Sequence, residues 1–283
     1  MLAACAPLAC GLAPPQETPA PQGQQQPPPA PPTPPPGNTP AVPPPGFILV
    51  WQDEFDGTSL DTSKWSADTG PRRDAVNTAE AVSVKDGVLR ITTYTEAGVE
   101  KTGFLTSEGK FAATYGYYEA RIRFSDAGGE WCAFWLQSPT NGQPKGNPAL
   151  AGVEIDVVEH RVTDQSGFPF QDYVALNLNW DGYGPDRQNR QRVLQVPGGP
   201  KLQGEWHTYG VLWNATSYTF YVDAIALWTT SDAVSQRSET LQLTCEVADG
   251  DWAGFIPKGG YGPLGSSTTG IQVDWVRVWQ PPP

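Results

Sequence analysis

From Phe47 to Gln280 short apolar and polar runs alternate, and Gly, Asn, Asp and Pro separate them. No long stretch keeps its apolar residues at a helical spacing of 3.6. Short period-2 segments divided by turn residues predict an antiparallel β-sandwich. Phe47 to Phe55 reads as a first strand, and Lys85-Asp86-Gly87 as a hairpin turn before Val88 to Thr92. Along Glu130 to Leu136, alternation puts Trp131, Ala133 and Trp135 on one face and Cys132, Phe134 and Leu136 on the other. Asn177 and Asn179 share a face of the Tyr173 to Trp180 run. Leu241, Leu243, Cys245 and Val247 share the core face of theirs, and Glu246 looks the other way. Glu119, Arg121 and Arg123 also share a face, which suits an ion-paired framework as well as a ligand contact.

One run breaks the pattern. Residues 152 to 160 read Gly-Val-Glu-Ile-Asp-Val-Val-Glu-His, with β-branched residues in the gaps between three acids. In a strand Glu154 and Asp156 point the same way, but Glu159 stands at an odd offset. One extra residue at Val157-Val158, a β-bulge, returns Glu159 to their face. A row of acids repels itself. It is either a solvated edge or a site that uses carboxylates. Paired carboxyls suit glycoside hydrolysis, one as nucleophile and one as proton donor. Counted as four strand steps, the Cα atoms of Glu154 and Glu159 are about 13 Å apart. Side chains leaning inward close that toward the ~5–5.5 Å of a retaining pair.

Composition narrows the picture. The chain has 283 residues, 11 Trp and a formal charge of −12, with charged residues at only 17%. Many Trp and few charges suit a sugar cleft or an aromatic-rich core. The negative charge excludes nucleic acid and argues mildly against strongly sulfated polysaccharides. Residues 14–45 are rich in Pro and Gln and read as an extended, disordered tether. Residues 46–283 then form one sandwich domain. No segment is apolar and long enough to cross a membrane as a helix.

The nonapeptide resembles the active-site strand of glycoside hydrolase family 16 in its bulged E-x-D-x-x-E form, as in laminarinases and agarases. The flanking chain fits as well. Phe104 to Phe111 with Tyr115 to Phe124 resembles the family's T-S-x-G-K-F…Y-G-Y-x-E-A-R-I pattern. Trp131 to Leu136 resembles its W-P-A-F-W-L strand, with Cys132 in place of Pro. Trp206 to Trp213 and Phe220 to Asp223 resemble later framework motifs, and Val273 to Val278 the terminal V-D-Y-V-R-V.

The resemblance implies an all-β, concanavalin A-like jelly-roll sandwich with a concave cleft. It implies Glu154 as nucleophile, Asp156 as assisting acid and Glu159 as acid/base. Reaction would be double displacement with retention, with no cofactor for catalysis. Two Trp on one face predict a sugar-stacking floor at Trp131 and Trp135. Asn77, Asn179, Trp180, Tyr183, Glu246 and Trp252 are the other substrate-binding candidates. His207 reads as framework, and His160 as a neighbour of the site.

Many family members carry a structural calcium, for which Glu54, the Gly87 carbonyl and Asp274 are the candidate donors here. Cys132 and Cys245 fall on core-facing positions, as a disulfide if their strands adjoin or as two buried thiols. Met1-Leu2-Ala3-Ala4-Cys5 resembles a bacterial lipobox, with residues 1–13 as a signal remnant whose true start lies upstream. It implies lipidation of Cys5 and an extracellular or bacterial cell-surface location, touching membrane only through that anchor; a monomer is expected. A β-1,3- or mixed-linkage glucan is the first substrate expected and an agarose-like galactan the second. A tethered, non-hydrolysing polysaccharide-binding module is the reading from another class.

Overall fold

The computed structural model describes residues 43–140 and 142–283. Cys5 and the tether up to residue 42 lie outside the described residues. Two antiparallel sheets are stacked. The seven-stranded sheet runs, in spatial order, 188–195, 173–180, 154–161, 130–137, 240–247, 104–106 and 66–68. The eight-stranded sheet runs 225–230, 218–222, 207–213, 116–124, 270–280, 88–92 and 82–85. Its remaining strand, Ile48–Asp53, pairs with Gly270–Gln280. A small third sheet, 70–72, 75–77, 99–102 and 94–96, includes one parallel pair. The one described α-helix is the single turn Pro148–Ala151. This is the all-β sandwich that the alternation predicts.

One apolar cluster fills the gap between the sheets. Cys132, Phe134, Leu136, Ile155, Leu176 and Leu178 from one sheet meet Tyr118, Ala120, Ile122, Tyr209, Val211 and Val276 from the other. Period 2 then sends the intervening residues outward, so the two outer faces carry most of the polar chemistry. Cys132 and Cys245 stand directly opposite each other on adjacent strands and are joined as a disulfide.

The Glu154–Arg161 strand holds the bulge. Phe134 pairs with Val158 and Trp135 with Asp156, so one residue on the acid strand has no opposite number. Val157 and Val158 both enter the core cluster. Two consecutive valines packed inward return Glu159 to the outer face with Glu154 and Asp156.

The strand's entry point is fixed by Gly152. Its φ is 82° and ψ 168°, a combination essentially confined to glycine. A Cβ there would overlap the Ser138 side chain.

Candidate active site

A cavity of about 300 Å³ opens on the outer face of the seven-stranded sheet. Glu154, Asp156 and Glu159 line it with Asn177, Asn179, Trp131 and Trp135. Register explains the gathering. Glu154 faces Asn179 and Asp156 faces Asn177 on the neighbouring strand, while Glu159 lies between Ala175 and Ala133. Two alanines leave open volume beside Glu159.

Each carboxylate is held by donors. Asn179 Nδ2 donates to Glu154 Oε1 at 2.8 Å and to Asp156 Oδ2 at 3.0 Å. Gln137 Nε2 donates to Glu154 Oε2 at 3.2 Å, and the Tyr183 hydroxyl donates to the same oxygen. Asn177 Nδ2 donates to Glu159 Oε2. Arg187 Nε and Nη2 donate to Asn179 Oδ1 at 3.1 and 2.6 Å. The guanidinium thereby polarises the amide that holds two of the acids.

Asp156 is buried, and Glu154 and Glu159 are half-buried. Burial pushes the Glu159 carboxyl up to about 8, and the charges of Glu154 and Glu246 push the same way. Burial also raises Asp156 well above the usual carboxylate range, helped by Glu154 and Glu159. Glu154 is raised by burial too, but the Tyr183 hydrogen bond and the Arg187 charge act against that. Like charges so close cannot all ionise. The donors favour ionisation of Glu154, whereas Glu159 keeps its proton at neutral pH. One end of the row is nucleophile-like and the other acid-like.

Other expected residues fall differently. Tyr183, Glu246 and Trp252 line the cavity. Trp131 and Trp135 do too, but they are only 6% and 7% exposed. Trp252 and Phe104 pack edge-on against them, at 5.5 and 5.9 Å respectively, and Arg73 lies 4.8 Å over Trp131. They form a packed wall, not the open stacking floor expected. Trp180 packs against the core cluster, because alternation turns it away from its neighbour Asn179. Asn77 is buried in the small sheet, paired with Gly70 and Thr102, and is not part of the cavity lining.

His160 points inward. Its Nδ1 bonds the Tyr173 carbonyl at 3.0 Å, and its ring packs 4.9 Å from Phe124. His207 is held by Asp223 at 2.6 Å, as framework. Arg121 pairs with Asp274 at 2.9 Å, and Glu119 accepts from the Tyr117 hydroxyl at 2.9 Å, so that face is ion-paired framework. These pairings also bear on calcium. Both oxygens of Glu54 accept from Arg277 at 2.7 Å, and Asp274 is taken by Arg121. The candidate donors do not fit a hard cation, since guanidinium groups already satisfy both carboxylates.

The alternation pattern does not reveal the arginines. Arg72 and Arg73, at the tip of the Gly70–Asn77 hairpin, both bond Glu246, and with Arg187 they put three cations around the cavity. Their only sequence signal is the turn Arg72-Arg73-Asp74.

A family model of the β-porphyranase A-D GH16 domain matches residues 50–281. β-Porphyranase C of Zobellia galactanivorans is 31% identical over 275 residues, which cover 81% of this chain and 76% of that protein. Glucan endo-1,3-β-glucosidase A1 of Niallia circulans is 28% identical over 203 residues, 63% of this chain and 28% of that one. The chain spans less than half the length of this and other glycanase relatives that it matches. The crystal structure of porphyranase B from Zobellia galactanivorans superposes with a TM-score of 0.66 at 23% identity, over 83% of this chain and 92% of that one.

Proposed function

The chain belongs to glycoside hydrolase family 16, within the β-porphyranase A-D group of GH16 domains, and from that premise we propose that it is an endo-acting, retaining glycosidase of β-linked galactans. The observation that carries the mechanism is the acid row with unequal ends. Glu154 sits among Asn179, Gln137 and Tyr183 donors, and Glu159 carries a proton at neutral pH.

In the first step Glu159 gives its proton to the leaving glycosidic oxygen while Glu154 attacks the anomeric carbon. The developing sugar cation is stabilised by the carboxylates beneath it. In the second step Glu159, now ionised, takes a proton from water. That water displaces Glu154 and leaves the configuration retained. Asp156 shares the Asn179 donor with Glu154 and so orients the nucleophile.

Two points favour a galactan over the glucan expected first. The family group is that of porphyranases. Three arginines, Arg72, Arg73 and Arg187, also line the cleft beside its five acids, cations that a sulfated galactan can meet and a neutral glucan does not need. Glucan cleavage is the second reading, supported by the glucanase relative. The disulfide suits an oxidising compartment and agrees with the surface-anchored reading of Cys5 and the tether.

The test is a reducing-end assay on porphyran, agarose, laminarin and mixed-linkage glucan, with Glu154→Gln alongside. Cleavage of a galactan that Glu154→Gln loses supports the reading. Cleavage of glucans alone moves the substrate to the second reading. Binding without any cleavage points to the non-hydrolysing module.

A further inference from the structure

The cleft has a counterpart elsewhere on the sandwich. A cavity of about 350 Å³ lies where the strands ending at Thr92 and Phe124 meet the strand beginning at Gly270. It is within the size range of small-molecule sites, ~300–1,000 Å³. Arg90 and Arg123 both pair in register with Gln272, one from each side. Their sequence neighbours Leu89, Ile91, Ile122 and Phe124 belong to the core cluster. The row therefore faces out from the eight-stranded sheet, on the side of the sandwich away from Glu154 and Glu159.

Lys201 lines the same cavity, as does Asp126. Among the described residues none of the three cations forms an ion pair with a carboxylate, although acids outnumber bases 30 to 18 in the chain. Arg123 is nevertheless held in place. Its Nη2 donates to Gln272 Oε1 at 2.6 Å, and its guanidinium lies 5.2 Å over the Trp206 ring. Burial, and then the like charge of Arg90, lower its proton affinity. A positioned arginine with a second one and a lysine beside it, none of them ion-paired, suits an anion.

Gln203, 1% exposed, lines the cavity. The Tyr173 carbonyl only accepts, so His160 Nδ1 must carry the hydrogen. Burial lowers the His160 pKa to about 4, so the ring is neutral and Nε2 accepts. Gln203 must then turn its amide nitrogen to Nε2, at 2.7 Å. Its Oε1 is left buried without a partner. That oxygen is closed to solvent and belongs to the packing behind the cavity; the acceptor open to a ligand is the exposed Asp126, whose carboxylate calls for a hydroxyl or N–H donor. A bare sulfate or phosphate brings acceptors and no comparable donor. A sugar ring bearing a sulfate or carboxylate brings both.

We propose that this cavity is a second saccharide site, which holds an anionic sugar residue of a polysaccharide chain through Arg90, Arg123, Lys201 and Asp126. It performs no chemistry. It tethers polymer while the cleft cuts. The choice of a sulfated galactan as probe rests on the proposed function; the site's own chemistry does not.

The test uses the full chain with Glu154→Gln, so that bound polymer is not cut. Affinity for immobilised porphyran is measured at low salt, with and without Arg90→Ala/Arg123→Ala. We expect the double variant to bind roughly tenfold more weakly, as two charge-assisted contacts are lost, and the difference to shrink in high salt. Lys201→Glu, at an exposed position, should weaken binding in the same direction and covers the event that the double variant fails to fold.

With Glu154 intact, the same cavity variants should raise KM on polymer and leave kcat on a short porphyran oligosaccharide unchanged. Unchanged affinity in folded variants overturns the proposal. So does displacement of porphyran by inorganic sulfate at equal sulfate concentration, which would mean an anion site only. If wild type cuts no porphyran yet cavity variants lose affinity for it, the cavity stands and the substrate reading falls. If wild type cuts porphyran and the variants keep full affinity, the substrate reading stands and the second site falls.

Discussion

Asn179 is the hinge of the acid row, and Asn179→Ala tests how the row works. One amide nitrogen serves both Glu154, at 2.8 Å, and Asp156, at 3.0 Å, while Arg187 fixes the other end of the amide. Alanine removes two hydrogen bonds: the one to ionised Glu154 is worth about 1.5–3 kcal/mol where water is excluded, and the one to Asp156, whose ionisation burial disfavours, about 0.5–1.5 kcal/mol. Glu154 is half-buried and keeps Gln137 and Tyr183 as donors, so water and those groups recover part of the loss. A net cost of about 1.5–3 kcal/mol in the transition state remains, or roughly 10- to 150-fold in kcat/KM.

Direction matters as much as size. Without the donor, ionised Glu154 is less favoured, so the acid limb of the pH–rate profile moves to higher pH. The assay is reducing-end release across pH, with melting measured in parallel. A folded variant with a wild-type rate and an unmoved acid limb would refute this account of the row.

Three further outcomes follow from packing and protonation. Glu119 and Glu130 are raised by burial to about 7 and Glu239 to about 8, so in the folded chain they bind protons that the unfolded chain has released. Stability from raised acids is present at low pH and lost as pH rises, whereas His160, lowered to about 4, opposes this only below about pH 6.5. Tm should therefore fall between pH 6.5 and 8, and a flat or rising Tm there would contradict the burial argument. Gly152→Ala should cost about 1–3 kcal/mol of stability from backbone strain alone, more with the Ser138 overlap, and should displace the start of the acid strand. A calorimetric scan with Tm unchanged would show that the strand entry is not fixed there. Replacing Cys132 and Cys245 by alanine opens a cross-link between residues 113 apart in sequence and should cost roughly 2–4 kcal/mol, read as a denaturant midpoint below that of the oxidised wild type, a gap that reductant should narrow; equal midpoints without reductant would contradict it.

The parts legible in the sequence are those governed by alternation within one strand. The doubled Val157-Val158 announces a bulge, and the bulge brings Glu159 back beside Glu154. Cys132 and Cys245 sit on the face that period 2 gives them, although their pairing needs the strand order. Trp180 is instructive because the same rule, applied to its own strand, sends it away from Asn179 and into the core.

What alternation cannot supply is contact between distant segments. Arg72 and Arg73 reach Glu246 across more than 170 residues, carried by a three-residue strand whose sequence has no period to read. Trp131 and Trp135 do face the cleft, but their coverage by Trp252 and Phe104 depends on neighbours brought in by the fold. The calcium donors fail for the same reason. Arg277 and Arg121 reach Glu54 and Asp274 only once the first and last strands pair.

Glu154 and Glu159 are proposed to act as a retaining pair. Proton NMR of the first product released from porphyran tests it most directly, before the new reducing end can mutarotate. Retention predicts that the β-anomer appears first and the α-anomer grows in later. The α-anomer appearing first would mean direct attack by water and would contradict the covalent step assigned to Glu154.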